Sequence, residues 1–384
     1  MPSQLNPISS TADAIVSRRS ALPALTGVRF FAAFYVVMFH GLPWLSQHAN
    51  LPQPVQTFLS NGYLAVALFF LLSGFILAYT YEGQISGSTN RWRFWEARFA
   101  RIYPVYFLSL MLAWWFERGL SLGARLAVLG MVQAWNPRAP QLAGAWNYPA
   151  WTLSVEAFFY LCLPLVLPWV SRRNNAALSW MIALLLAVCV GGHTAIIGLG
   201  NWNHSSLLGS IIPLPILRIP EFLLGMVMGV RFLHTPASDA QTDRPLRVYP
   251  AVLAAFAALS LPLGEWVSLV IIPFAVLVYE LALGGSLLAR ILSLRIAVLL
   301  GGASYAVYLL QFPVRNWTRV FSAHLPAKLG HFGAPLTPLF LVLFSIFVFR
   351  FWEEPARKNL RRWLSTEKAR ASDVPFPPAA RENG

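Results

Sequence analysis

Ten long apolar segments are the feature that most restricts how this 384-residue chain can fold. Each contains about 16 to 21 residues, and an α-helix needs about 20 apolar residues to cross a bilayer. A helix is suited to the hydrocarbon because it satisfies its backbone hydrogen bonds within the segment. The sequence therefore predicts an all-α, polytopic membrane helix bundle of about ten transmembrane helices. The predicted spans are 26–44, 62–80, 102–117, 151–170, 178–198, 211–231, 248–263, 266–283, 296–313 and 335–352.

The composition excludes an ordinary soluble protein. Only 11% of the residues are charged and 57% are hydrophobic, with a mean hydropathy of +0.57, whereas soluble domains contain about 25% charged residues. The net charge of +14 would by itself suggest a nucleic-acid partner. The basic residues, however, lie in short segments between apolar runs, where membrane topology accounts for them. The predicted partner is the lipid bilayer, and no nucleic acid is expected.

The distribution of basic residues predicts the orientation of the bundle. With ten spans, 22 of the 29 Lys and Arg residues fall on the side of both termini, and six fall in the opposite loops. Because cytoplasmic segments carry the excess of Lys and Arg, we expect both termini in the cytoplasm and a multi-pass protein of the inner (plasma) membrane. An eleventh apolar stretch, 121–135, is interpreted as non-spanning or re-entrant, since counting it as a span would place Arg172 and Arg173 outside.

Three regions are predicted along the chain. Residues 1–24 form a polar cytoplasmic tail without a signal-peptide cleavage site, 25–356 form the membrane-embedded domain, and 357–384 form a basic, Pro-rich cytoplasmic tail. Cys162 and Cys189 both lie in apolar segments and lack metal-ligand spacing. No metal is therefore expected.

The first span carries two polar residues, Arg29 and His40, on one face. They are eleven positions apart, close to three helical turns, which is roughly 16 Å along the axis. A charge near the bilayer centre costs roughly 2.5–3.5 kcal/mol, so it requires an explanation. An aligned cation and imidazole favour a site lined by this helix. The alternative is an interfacial Arg that follows topology and a His that ends the span near Trp44.

A basic and aromatic stretch, RWRFWEARFARIYP, follows the second span on the predicted cytoplasmic side. Its Arg98 and Arg101 are three positions apart and are therefore neighbours on a helix. Guanidinium groups bind phosphate oxygens bidentately, which favours a phosphate clamp. The alternative is an interfacial helix that holds anionic lipid headgroups.

The fourth span, which begins WTLSVEAFFY, contains Glu156 about one and a half turns inside its outer end. The predicted topology puts Glu156 at a depth similar to that of His40. A carboxylate and an imidazole at one level suggest a general base and the group that orients it. The alternative is a buried carboxylate satisfied by Tyr160, which is four positions away on the same helix face.

Two further polar elements favour structural roles. Ser73 and Gly74 lie in the middle of the second span, where small residues allow helices to approach closely. Arg218 and Glu221 are three positions apart in the sixth span, and a mutually satisfied ion pair is favoured over catalysis.

In this order, the segments resemble the acyltransferase 3 family of bacterial integral membrane O-acyltransferases. The similarity covers about 25–360 and rests on seven elements, each weak alone but specific as an ordered set. They are Arg29-x10-His40, GYLAVALFFLLSGF, Arg98-x-x-Arg101 followed by IYP, WTLSVEAFFY, RIPEFLLG, SYAVYLLQFPV and EEPARKNLRR.

The resemblance implies an enzyme whose membrane-embedded acyltransferase domain alone transfers an acyl group, usually acetyl, from acyl-CoA to a sugar hydroxyl. The acceptor would be a cell-surface or exported glycan, with exopolysaccharide as the first expectation, or a lipid-linked sugar. The family's first-span arginine and histidine map onto Arg29 and His40, and its glutamate onto Glu156. These three are the predicted catalytic residues.

The predicted donor site also follows from the resemblance. The family's cytoplasmic arginine pair maps onto Arg98 and Arg101, which together with Arg29 would bind the acyl-CoA. His40 would act as the general base or carry the acyl group transiently, and the sequence leaves both routes open. Many relatives have a histidine where this chain has Gln311, so we assign Gln311 no role from the sequence.

Three other classes of membrane protein are also compatible with polar residues inside the spans. A secondary transporter uses intramembrane charges, but it often shows internal repeats, and none is visible here. A flippase for a lipid-linked glycan would leave the sugar unmodified. A scaffold of a polysaccharide machine would not require His40.

Overall fold

The computed structural model describes residues 21–85, 87–117, 119–203, 214–235, 247–326 and 333–360. Thirteen α-helices and several short 3-10 turns make up these ranges, and no strand occurs within them. The predicted all-α fold class is therefore confirmed. The helices are α1 Pro23–His48, α2 Gln53–Ser60, α3 Ala65–Tyr81, α4 Gly87–Ala113, α5 Leu122–Leu129, α6 Trp151–Val170, α7 Asn175–Asn203, α8 Pro215–Leu233, α9 Val248–Ser260, α10 Ile271–Leu283, α11 Leu287–Leu292, α12 Arg295–Ala323 and α13 Gly333–Val348.

Eight helical segments in the described part of the chain are long and apolar enough to cross a membrane. The other two predicted spans also form helices. Helix α8 has 19 residues but carries the charged pair, and α9 has only 13 residues. The 121–135 stretch contains the eight-residue helix α5, which at about 1.5 Å per residue is too short to span. The eight spanning segments are Pro23–His48, Gln53–Tyr81, Gly87–Phe116, Tyr148–Val170, Asn175–Gly192, Gly264–Leu283, Arg295–Ala323 and Gly333–Leu360.

Glycines allow α3 and α8 to pack closely against each other. A Cβ atom on Gly74 would lie 2.0 Å from the carbonyl oxygen of Phe222, and one on Gly225 would lie 2.0 Å from that of Leu71. Neither backbone oxygen can move aside cheaply, so only glycine fits. The predicted packing role of Gly74 is confirmed, and small residues at helix contacts are the usual means of close approach in membranes.

Helices α1 and α12 run parallel along most of their length. A Cβ atom on Gly301 would lie 2.0 Å from the carbonyl oxygen of Thr26, and Arg315 donates a hydrogen bond to the carbonyl oxygen of His40. Both contacts join residues 275 positions apart. This constant register keeps the polar face of α12 beside the face of α1 that carries Arg29 and His40.

The hydrogen bonding of the last described helical segment changes from the α-helical to the π-helical pattern after α13. After α13, residues Phe349–Glu353 form a π-helical turn that places Glu353, with 0% of its surface exposed, inside the bundle. Single π-helical turns inside longer helices frequently occur at functional sites. Most of the predicted tails, 1–24 and 357–384, lies outside the described residues.

Candidate functional site

Three arginines from two helices line one cavity, called here the arginine cavity. Arg29 comes from α1, and Arg98 and Arg101 come from consecutive turns of α4. The cavity encloses about 460 Å³ of space between the side chains, part of it open to solvent. Its walls also contain Ser73, Ile76, Leu77, Ile102, Glu156, Tyr160 and Tyr305. The structure thus brings together all three predicted donor-binding residues.

The two arginines that α4 contributes to the cavity are fixed by different partners. Arg98 donates a hydrogen bond from Nη2 to the hydroxyl of Tyr81 at 2.9 Å, and its guanidinium lies 5.3 Å from the centre of that ring. Arg101 forms an ion pair with the buried Glu353. These contacts hold both side chains in place, and each guanidinium group keeps N–H groups that can donate hydrogen bonds to an anion. Within the described ranges, the Nε atoms of Arg29 and Arg98 are buried and have no hydrogen-bond partner.

Glu156 is the carboxylate in the wall of the arginine cavity. It accepts a hydrogen bond from the hydroxyl of Tyr160 at 3.1 Å, the contact that the four-residue spacing predicted. With Glu353 behind Arg101, two carboxylates face three guanidinium groups. The cavity therefore keeps a net positive charge, which favours a phosphorylated ligand.

A second cavity begins where the first one ends. It shares Arg29, Glu156 and Tyr305 with the arginine cavity and holds about 430 Å³ of empty space. Its other walls are mostly apolar or aromatic, with three hydroxyl groups. They are formed by Val66, Phe69, Phe70, Thr152, Leu153, Ser304 and Tyr308. A ligand anchored by the arginines can thus extend into less polar surroundings.

His40 lies beyond the second cavity, near the other end of α1, and lines neither cavity. Its Nδ1 atom is 2.9 Å from Oε1 of Gln311, and Gln311 Nε2 donates to the carbonyl oxygen of Tyr308 at 2.7 Å. Tyr308 in turn lines the second cavity. The rings of Phe312 and Tyr148 pack edge-on against the imidazole, at centroid distances of 5.0 and 6.0 Å.

The expected pairing of Glu156 with His40 is wrong. The imidazole bonds to Gln311, and Glu156 bonds to Tyr160 and faces Arg29 across the arginine cavity. The depth estimate failed because it counted residues from the outer end of each helix. The residue of this segment that packs against the imidazole is Tyr148, and Glu156 follows it by eight positions, so the carboxylate lies further along the helix.

Sequence reasoning assigned no role to four residues of the site, three on α12 and one in the π-helical turn. Tyr305, Tyr308 and Gln311 recur at three-residue intervals on α12, the spacing of one helix face. That periodicity was a usable signal. Glu353 was quoted only as part of the closing motif, and its inward direction depends on the π-helical turn, for which the sequence contains no clear sign.

The charged residues of α8 form the ion pair predicted for them. Arg218 and Glu221 lie 3.2 Å apart, and both are buried. The guanidinium also lies 5.5 Å from the centre of the Phe70 ring. Neither residue lines the arginine cavity or the second cavity. Among the described residues, no group of three or more His, Cys, Asp or Glu side chains is placed to hold a metal ion.

Comparison with known proteins assigns chemistry to this architecture. The family model described as an acyltransferase domain matches residues 22–351. The chain is 33% identical over 323 residues to the acyltransferase MdmB of Streptomyces mycarofaciens, an alignment that covers 76% of this chain and 79% of that protein.

A second relative is the O-acetyltransferase OatA of Staphylococcus aureus, strain NCTC 8325 / PS 47. It is 23% identical over 373 residues, and the match covers 88% of this chain and 57% of OatA. This chain therefore matches little more than half the length of OatA. No solved structure matches.

Proposed function

The chain belongs to the family defined by the acyltransferase domain, and from this premise we propose that it acylates a sugar hydroxyl of an exported glycan, with acyl-CoA as the donor. Acetyl is the proposed acyl group, supported by the similarity to an O-acetyltransferase. Exopolysaccharide is the first acceptor to test, and a lipid-linked sugar is the second. The proposed location is the inner membrane.

One observation supports this function most directly. The arginine cavity and the second cavity share a wall of three residues, Arg29, Glu156 and Tyr305. A cationic chamber that continues into a less polar one suits a donor with phosphates at one end and an uncharged thioester at the other. Arg98 and Arg101 would bind the phosphates of coenzyme A, with Arg29 beside its pantetheine arm.

The remaining polar groups have proposed roles along the same path. Glu156 would balance the charge of Arg29 before the donor arrives, held by the hydroxyl of Tyr160. His40 would take the proton of the acceptor hydroxyl as general base. The hydroxyl oxygen would then form a bond to the thioester carbonyl carbon while the carbon–sulfur bond breaks. Coenzyme A would leave as the thiolate and take up a proton.

The orientation of the bundle is a prediction of its own. Coenzyme A is kept in the cytoplasm, so the arginine cavity should open there and the His40 end should face outward. The asymmetry of 22 against six basic residues predicts the same arrangement. We expect reporter fusions at residues 140 and 370 to localise to opposite sides, with 370 cytoplasmic. Fusions found on one side would contradict the ten-span topology.

The enzymatic function is tested with radiolabelled acetyl-CoA. Purified protein in lipid nanodiscs is mixed with the labelled donor and with the glycan fraction of the cell envelope. We expect base-labile label in the glycan and release of free coenzyme A. Mass spectrometry of glycan from a strain lacking the gene should show the same acetyl group missing. Unlabelled glycan and an unchanged mass spectrum would instead favour transport without chemistry.

A further inference from the structure

The hydrogen bonds of Gln311 determine which way its amide points. Gln311 is buried, with 5% of its surface exposed, and its Nε2 donates to the carbonyl oxygen of Tyr308 at 2.7 Å. A carbonyl oxygen can only accept a hydrogen bond, so the amide nitrogen must face Tyr308. The amide oxygen, Oε1, therefore faces His40, and it too can only accept.

The amide orientation in turn determines the tautomer of His40. Because Oε1 of Gln311 accepts across the 2.9 Å contact, Nδ1 of the imidazole must carry the hydrogen. A neutral imidazole has one protonated and one unprotonated nitrogen. Nε2 of His40 is then left with a free lone pair, the form that a general base requires.

We propose that Gln311 is a positioning residue that fixes His40 in the Nδ1-protonated tautomer, with Nε2 available to the acceptor hydroxyl. The proposal rests on the proposed role of His40 as the base. It identifies Gln311, rather than Glu156, as the group that orients the imidazole. A neutral amide does so without adding a negative charge beside the ring.

The other groups around His40 add no negative charge beside the imidazole, in agreement with a neutral partner such as Gln311. From α12, Arg315 directs its guanidinium at the backbone oxygen of His40, at 3.1 Å. From the turn before α6, the Tyr148 ring meets the imidazole edge-on. Phe39 and Phe312 complete the apolar surroundings. None of the interactions between His40 and the described residues involves a carboxylate. The imidazolium formed during transfer thus has no anionic partner in these ranges.

The tautomer is measured directly by ¹⁵N NMR of the full-length, histidine-labelled protein in lipid bilayers. The His40 signals are assigned by their loss in His40→Gln. Above the titration of the ring, we expect Nδ1 to be protonated and Nε2 unprotonated in the native protein. A protonated Nε2 would overturn the proposal, whatever the enzymatic activity.

Two substitutions test the consequence for transfer from acetyl-CoA to the envelope glycan fraction. Gln311→Leu removes the side-chain acceptor and leaves the imidazole only its backbone hydrogen bond to Val36, and we expect kcat to fall roughly 10- to 100-fold, a part of what general base catalysis contributes. Gln311→Glu keeps an acceptor at Nδ1 but adds a charge that stabilises the imidazolium. We expect it to move the acid limb of the pH–rate profile upward by about one unit or more.

Gln133→Leu is the matched control, because Gln133 is also buried, donates to the carbonyl oxygen of Ala150 and has no hydrogen bond to His40. It should leave the pH profile unchanged. A native rate in Gln311→Leu, or an unmoved acid limb in Gln311→Glu, would refute the positioning role. If Gln311→Leu fails to fold, the NMR measurement and the Gln311→Glu variant still decide whether Gln311 positions His40. A native rate in His40→Ala would refute the proposed base and leave the tautomer to NMR.

Discussion

Replacing His40 with Ala should reduce acyl transfer by at least roughly 10²- to 10⁴-fold, the contribution that a general base makes. The bundle should remain folded, because the hydrogen bond from Arg315 goes to the backbone oxygen of residue 40 and does not need the imidazole. His40→Gln should be equally inactive. Its amide can still bond to Gln311, but an amide cannot take up a proton. The measurement is the rate of labelled acetyl transfer by purified protein.

His48→Ala is the matched control for this prediction. His48 lies on the same helix, is exposed, and bonds to the carbonyl oxygen of Trp44, on whose ring it stacks. Its loss should leave transfer at the native rate. A near-native rate in His40→Ala would show that the base lies elsewhere. Inactivity of both variants with normal folding would point to a general effect at this end of α1.

The second large effect concerns the donor. Arg98→Gln should raise the KM for acetyl-CoA roughly 10- to 100-fold, because a charge-assisted hydrogen bond contributes about 1.5–3 kcal/mol. The apparent KM for the glycan should change much less. Arg93→Gln is the control, since Arg93 lies on the same helix but is exposed and does not line the arginine cavity. Equal loss in both variants would favour lipid anchoring over phosphate binding.

Arg101 needs a different design because it is paired inside the protein. Arg101→Gln leaves the fully buried Glu353 without its cation, which typically costs about 3–5 kcal/mol of stability. The double variant Arg101→Gln, Glu353→Gln removes both charges and should recover thermal stability. Its KM for acetyl-CoA should nevertheless stay high, since the phosphate ligand is still missing. Recovery of the native KM would mean that Arg101 serves the fold alone.

Apolar segment length and charge distribution determined the fold class from the sequence alone. Because lipid offers no hydrogen-bond partners, each long apolar segment must pair its own backbone N–H and C=O groups. A helical fold therefore follows from the composition. The cost of intramembrane charge likewise singled out Arg29, and the capacity of neighbouring guanidinium groups to bind phosphate singled out Arg98 and Arg101. All three line one cavity in the structure. Even the packing role of Gly74 followed from residue size.

The partners of these side chains were decided only by the tertiary structure. Periodicity gives the face and approximate depth of a residue on its own helix, but it does not give the register between helices. The parallel register of α1 and α12 brings Gln311 to His40. Glu156 lines the arginine cavity together with Arg29, and the π-helical turn directs Glu353 at Arg101. Such contacts join residues up to 275 positions apart, a separation at which local spacing carries no information.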